Sequence, residues 1–575
     1  MSENHFNLIM DPWIKVIDKQ NQEQEISLEK LFTHAADYRQ LAGEMKSQDL
    51  AILRFLLAIL TTVYSRYDAE DHPYDWIKLD QISMRPVQFD EQAFANDKEQ
   101  IATSLETTWN KLYQEGKFSQ ALMDYLRCYQ RHFDFFDEEY PFYQATHDQY
   151  NNLVPANRTV EMGKGTVAVK QINRIISESN NKPNVFSPNT PIHKNDISIA
   201  ELVRWLINYQ NYAAVTDKTK INPKVTISKG WLYSLNPVLA EGKNLFETLM
   251  LNLVLVPNEL TKESLNQKPV WEVPINDYVK SRTENTLPQN IAQLYTVWSR
   301  LIHIEWKQNK PIIFPTGLSK LDSLNAFVEP MTTWRESRKE EGLNPDLRRL
   351  NDLKRGMWRD LNRYIYLNEE ESIREPGIVS WLRRLVNNGY LNHESLLHLK
   401  AISLVNDGTA QSQLPAAEYV DEIQINTNVL FRDKGKGNPW LTVIDNAVKL
   451  ADQVNTYVWL FGKDKGTLQG LYDAKTLGAE ATASYYVKLN QPFNDWLASL
   501  SAEDNPAEKS LEWENVVKRV ALSTGTELLN SATSREIRGT VDSSSTKNIF
   551  TYYRIFKSSI EKTFNLRREV DNDEN

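Results

Sequence analysis

Apolar and polar positions alternate differently along this chain, and the change of spacing predicts its elements. Phe6-Asn7-Leu8-Ile9-Met10 runs up to Asp11-Pro12 and resumes at Trp13-Ile14-Lys15-Val16. This predicts a strand, a turn stopped at Pro12, a second short strand, and then a helix entered through Ser27. Leu50–Leu60 is apolar except for Arg54. It is shorter than the roughly 20 residues a bilayer span needs, so it predicts a buried helix and no membrane segment. Ile199–Tyr212 reads as another helix, and Leu294–Trp298 and Leu301–Trp306 read as strands. Ser179–Asn184 carries loop chemistry, and Asp407-Gly408-Thr409-Ala410-Gln411-Ser412-Gln413 carries that of a hairpin turn.

The C-terminal part has a different period. Trp440, Ile444, Ala447, Ala451, Val454, Val458 and Phe461 share one helical stripe, and Tyr486, Leu489, Phe493, Trp496 and Leu500 share a second, which Pro492 is expected to kink. Trp513, Val517, Val520, Thr524 and Leu528 form a third; Ile549, Tyr553, Phe556, Ile560 and Phe564 form a fourth. Four amphipathic stripes joined by polar links predict a four-helix bundle. No period of 20–50 residues is visible, which excludes a solenoid.

At 575 residues the chain is too long for one core. A single cysteine, Cys128, excludes an internal disulfide and a multi-cysteine zinc site, and suits a reducing cytoplasm. Met1–Asn7 is polar without a basic segment, so no secretory signal is expected. The net charge of −10 argues against phosphate affinity spread over the whole surface. It leaves room for local basic patches, which decide binding.

Candidate chemistry is sparse. Asp134, Asp137, Glu138 and Glu139 form an acidic cluster, and a metal-dependent nuclease built on Asp134, Asp137 and Glu139 is one reading. The spacing lacks the alternating aspartates and glycine of a calcium loop. His393 and His398 are five apart, about 140° on a helix, and cannot share one ion from one helix face. Cys128 reads as a buried small side chain. No catalytic residue, metal or cofactor is expected. Asn157-Arg158-Thr159 is a glycosylation sequon without consequence in a cytosolic protein. Arginines and lysines crowd 335–363, but Glu336, Glu340, Asp346, Asp352 and Asp360 interleave them, which predicts a solvated, ion-paired helical face. Lys547, Arg554, Lys557, Lys562, Arg567 and Arg568 lie off the apolar stripe of the last bundle helix, where cations can track a nucleic-acid backbone.

Several strings, in order, resemble the large subunit of type I-E Cascade, the CasA family of RNA-guided CRISPR surveillance complexes. They lie at 6–60, 133–145 and 291–306, and include Phe136-Asp137 with Tyr140-Pro141-Phe142-Tyr143-Gln144, where Tyr140 stands in place of the usual His. The resemblance implies an α+β fold, with a mixed N-terminal domain over 1–435 and a four-helix bundle over 436–570. It implies a non-catalytic, cytoplasmic protein that reads the protospacer-adjacent motif (PAM) of double-stranded target DNA, helps open the duplex and recruits a helicase–nuclease. Its partners would be the other Cascade subunits and the CRISPR guide RNA; a scaffold subunit that binds partner proteins only is the other reading beside the nuclease.

By position, the resemblance places a wedge glutamine at Gln411, with Gln413 next, and a minor-groove lysine at Lys320. The minor groove offers mainly acceptors, so a lysine there is chemically apt and weakly selective. A glycine-rich loop of the family corresponds to Thr216–Lys224, which has no glycine but has Lys218, Lys220, Asn222 and Lys224; Lys229-Gly230 is the other candidate position. A guide-end loop corresponds to Asn184, Phe186 and Asn189, with Phe186 as its anchor.

Overall fold

The computed structural model describes residues 5–172, 196–214, 219–222, 224, 226–284, 287–308, 310–349, 352, 355–365, 373–406, 415–431, 438–542 and 545–573. The chain is α+β and forms two compact units. The first holds 1–353, 370–390 and 399–421; the second holds 354–369, 391–398 and 422–575.

The first unit begins with a three-stranded antiparallel sheet in the order Glu23–Ile26, Ile14–Asp18, Tyr38–Leu41. The strand expected at Phe6–Met10 is instead a single bridge from Asn7 to Asp134 followed by a turn. Two local bonds close that turn: the Asn7 amide donates to Asp11 Oδ2 at 2.6 Å, and the Ile9 amide to Asn7 Oδ1 at 3.1 Å. Ser27 caps the next helix by accepting from the Lys30 amide at 3.2 Å.

Lys46–Tyr64 is the core of the first unit, with every residue after Lys46 buried. It is also the one described helix long and apolar enough to cross a membrane, and its apolar window is wholly covered by this fold. Phe55 meets Trp13, Phe133, Phe142 and Trp271 edge-on at centroid distances of 5.6–6.1 Å. The end of the Phe136–Gln144 string packs into the core: Phe142, Tyr143 and Gln144 are buried. Arg204, on the Ile199–Tyr212 helix, bonds Glu44 through Nη2 at 2.6 Å, Glu25 at 2.9 Å and the Trp13 carbonyl at 2.7 Å. Burial works to raise the Glu44 pKa, but Arg204 and Lys15 outweigh it and hold the carboxyl at about 2.

Leu294–Trp298 is not a strand. Asn290 accepts from the Gln293 amide at 2.9 Å and starts a helix over Ile291–Tyr295, while Arg300–Lys307 pairs with Lys310–Gly317 as a hairpin. The basic region beyond 335 is not a helical face either. Its described part is made of the short strands Trp334–Glu336, Leu343–Pro345 and Ile373–Arg374, with short helical turns and the Gly377–Asn387 helix. The expected ion pairing is present, as Arg335–Asp346 at 3.0 Å and Arg355–Asp360 at 3.2 Å.

In the second unit, Pro439–Gln469, Lys475–Ser499, Pro506–Asn530 and Ile549–Asp573 form the helical bundle. The four stripes read from the sequence line its interior: Ile444, Val454, Leu489, Phe493, Val517 and Ile560 are fully buried. Pro492 lies inside an undivided helix. Trp358, from outside the four helices, stacks on Phe493 at 4.5 Å and 22° and donates its Nε1 proton to Asn490 at 2.7 Å.

Candidate nucleic-acid interface

The strand Lys310–Gly317 continues into the segment that carries Lys320, and that segment is gripped on both edges. On one side the Gly317 amide donates to the Thr219 carbonyl at 3.0 Å, and the Ile221 amide returns a bond to Gly317 at 3.2 Å. On the other, the Ser228 amide donates to Leu318 at 2.7 Å and the Lys320 amide to Thr226 at 2.9 Å. Gly317 is required by the close approach, since a Cβ there would lie 2.5 Å from the Ile227 side chain.

Two buried arginines tie the same backbone down from beneath. Arg300 donates through Nη1 to the Ser228 carbonyl at 2.7 Å, and Arg282 through Nη2 to the Ser319 carbonyl at 2.6 Å. The result is a fixed backbone from which Lys320 projects with its side chain exposed.

The pairing brings Lys320 into one neighbourhood with the 219–229 loop. Lys224 and Lys229 are exposed there, and Lys220 and Asn222 are half-buried. Burial lowers the Lys229 pKa, and the charge of Lys320 lowers it further, so the two ammonium groups sense each other. Lys229 also lies over the Tyr233 ring at 4.7 Å. Asn222 Oδ1 accepts from the Lys224 amide at 3.0 Å, which fixes the turn that presents Lys224. Gly230 is a packing glycine: a Cβ there would meet the Asn211 carbonyl at 2.1 Å.

The hairpin expected around Gln411 is flanked by two long strands, Leu396–Asn406 and Pro415–Asn426, paired in the order that places Val238–Glu241 on the far side of the first. Their link is too short for a parallel crossover, so they run antiparallel. Glu418, on the returning strand, accepts from the amides of Lys46 at 3.2 Å and Ser47 at 2.6 Å. It thereby caps the N-terminus of the buried Lys46–Tyr64 helix from about 370 residues away. Gln411, Gln413, Lys218, Asn184, Phe186 and Asn189 lie outside the described residues.

In the second unit, Lys547, Arg554 and Lys557 are exposed, the last two one turn apart on the final bundle helix. Lys557 is 3.9 Å from Glu561, and this pair is solvated on both sides.

The acidic cluster is committed to structure. Arg131 holds Asp137 through Nε and Nη2, each at 3.0 Å, and Glu139 through Nη1 at 3.1 Å. Asp137 Oδ1 also accepts from the Glu139 and Tyr140 amides at 2.9 and 2.8 Å. Burial pushes the Asp137 pKa up, and Arg131 with these amides brings it below the usual range. Asp134 Oδ1 accepts from the Phe136 amide at 2.9 Å. Among the described residues, Asp134, Asp137 and Glu139 do not converge as a set of metal ligands. Cys128 is exposed rather than buried, because it falls at the end of the Gln120–Cys128 helix; its Sγ donates to the Ile82 carbonyl at 3.0 Å. Partial burial raises its pKa, the opposite of an activated nucleophile.

An α+β chain with a C-terminal helical bundle matches the fold of a known group of CRISPR proteins. The family model for CRISPR-associated protein Cse1 matches residues 7–524, and the chain belongs to that family. No curated protein matches it. Among solved structures, Cse1 of Thermobifida fusca is similar with a TM-score of 0.73 at 22% identity, covering 97% of this chain and 98% of that one. Cse1 of Acidimicrobium ferrooxidans is similar with a TM-score of 0.70 at 19% identity, covering 98% and 100%. A chain of a CRISPR RNA-guided surveillance complex is similar with a TM-score of 0.66 at 15% identity, covering 97% and 99%. At these identities the likenesses establish the shared fold.

Proposed function

We propose that this chain is the large, non-catalytic subunit of a type I-E surveillance complex, working in the cytoplasm with the other Cascade subunits and a CRISPR guide RNA. It reads the PAM of double-stranded target DNA through the minor groove, helps open the duplex and recruits the helicase–nuclease. The observation that carries this reading is the doubly gripped loop that holds Lys320 exposed beside Lys224 and Lys229. Recognition of base edges needs side chains on a backbone that does not yield, and this one is bonded on both edges and from below. The mixed part, 1–435, carries recognition. The bundle, 436–570, offers Lys547, Arg554 and Lys557 to a strand backbone.

Gln411 is the first choice for the wedge and Gln413 the second, between two strands of which the second is pinned through Glu418. Separating the first base pair costs a few kcal/mol, roughly, and requires a rigid base. Guide pairing supplies the remaining specificity, by the division of labour of RNA-guided effectors.

Two variants of the assembled complex test the reading. Lys320→Ala is expected to weaken binding of PAM-bearing duplex by about tenfold and to leave PAM-less duplex nearly unchanged in gel-shift titrations. Equal losses on both duplexes would reduce Lys320 to a phosphate contact. Gln411→Ala is expected to leave docking intact while permanganate footprinting shows reduced strand opening; if opening is unchanged, the wedge is Gln413 or absent.

A further inference from the structure

The first unit contains a cavity of about 540 Å³ that no part of the proposed DNA contact uses. Its volume lies in the range of small-molecule sites, about 300–1,000 Å³. It sits between the Gln120–Cys128 helix, the Phe136–Gln144 string and the segment Val270–Tyr278.

Its walls are flat. Tyr140 stacks on His132 at 4.3 Å and 19°, with Trp271, Tyr278 and Trp298 among the other lining rings. Burial lowers the His132 pKa, so this ring is neutral at neutral pH. The two lining carboxylates are ion-paired, Glu139 with an arginine it shares with Asp137. Glu272 is held by Arg66 through two bonds at 2.9 and 2.8 Å, and Glu139 by Arg131 at 3.1 Å. Arg85 differs: it lines the cavity, is exposed, spends one Nη1 bond on the Glu272 carbonyl at 3.1 Å, and has no carboxylate within 4.0 Å among the described residues. Arg85 thus places a guanidinium beside aromatic faces, with the Asp80 carboxylate near enough to feel its charge.

Two further features fall in the cavity lining. Trp298 is 5% exposed, and its Nε1 donor has no hydrogen-bond partner. A buried donor left unmet is costly, by about 1–3 kcal/mol. Tyr143, also in the lining, holds a left-handed φ of 57°. For a bulky residue that conformation costs about 1–3 kcal/mol, and such outliers cluster at ligand sites.

We propose that this cavity is a binding site for a nucleotide-sized planar aromatic anion, with the ring against the aromatic wall of Trp271, Tyr278 and Trp298 and the anionic group on Arg85. A ring stacks on such faces whatever its sequence identity, and a guanidinium binds a phosphate through paired donors. The ligand is a free mononucleotide or the phosphorylated end of a single strand; both present the same chemistry. The site is independent of the PAM reading.

Cys128, the chain's single cysteine, lines the cavity and reports its occupancy. With full-length protein, millimolar AMP is expected to slow alkylation of Cys128 by iodoacetamide, and calorimetry is expected to show binding about tenfold stronger than that of adenosine, the worth of one charge-assisted contact. Arg85→Ala is expected to abolish that tenfold preference and to leave adenosine binding unchanged. A 5′-phosphorylated tetranucleotide that binds more strongly than AMP identifies a strand end as the ligand; AMP binding alone identifies the free nucleotide. If neither AMP nor the tetranucleotide slows alkylation or yields heat with wild-type protein, the site does not exist. AMP binding unchanged by Arg85→Ala overturns the assignment of the anion.

Discussion

Arg54 interrupts the most apolar stretch of the chain, and its setting explains why it is tolerated. Its guanidinium meets Glu329 through Nη1 at 3.0 Å and Nη2 at 2.8 Å, with both side chains at 0% exposure. Trp231 Nε1 and the Met331 amide donate the remaining bonds to the Glu329 carboxylate, at 2.7 and 2.9 Å, and Tyr295 lies under the guanidinium at 4.0 Å. Arg54→Leu would leave that carboxylate buried with no counter-charge. A loss of about 3–5 kcal/mol is expected in urea denaturation, and the double variant with Glu329→Leu is expected to recover most of it. Equal instability of single and double variants would show that the pair contributes packing alone. Sequence made Arg54 visible as an oddity in an apolar run; its partner, 275 residues away, carried no local signal. Cys128 was misjudged for a related reason, since residue type suggested burial while its place at a helix end put it outside.

At the level of elements, the hairpin strand Pro415–Asn426 is fixed to the core helix by one carboxylate, Glu418. A helix N-terminus has amides with no partner of their own, and an acidic side chain there meets both the bond and the dipole. Glu418→Ala is expected to lower stability by about 0.5–2 kcal/mol, as for the loss of a cap. It is also expected to reduce permanganate-detected strand opening while initial docking persists. Lower stability with normal opening would make Glu418 a cap and nothing more. Long amphipathic elements were legible because their stripes repeat many times: Val454, Leu489, Val517 and Ile560 all proved fully buried. Short ones were not. At Leu294–Trp298 a single cap from Asn290 outweighed the β-like composition, and beyond 335 the interleaved charges fitted strands and turns as well as a helix. The grip on Lys320 was illegible for a third reason, because it joins segments roughly 90 residues apart through main-chain bonds that no side-chain pattern encodes.

Across the whole molecule, a net charge of −10 makes any phosphate contact depend on local cation clusters. Arg554 and Lys557 are one such cluster, exposed on the last helix of the second unit. Replacing both with alanine is expected to reduce the slope of log K against log salt by about 2 for the assembled complex, near one per cation, without altering PAM preference. An unchanged slope would remove the bundle from the DNA path. Fold class and family were both readable in the sequence. The second unit takes in 354–369 and 391–398 as well as 422–575. Trp358 belongs to the first of these inserts, stacks on the face of Phe493 and meets Trp513 in a T-shaped contact. A fragment expressed from the first bundle helix onward would expose that aromatic surface to water, and its insolubility would reflect a missing tryptophan rather than any fault in the four helices.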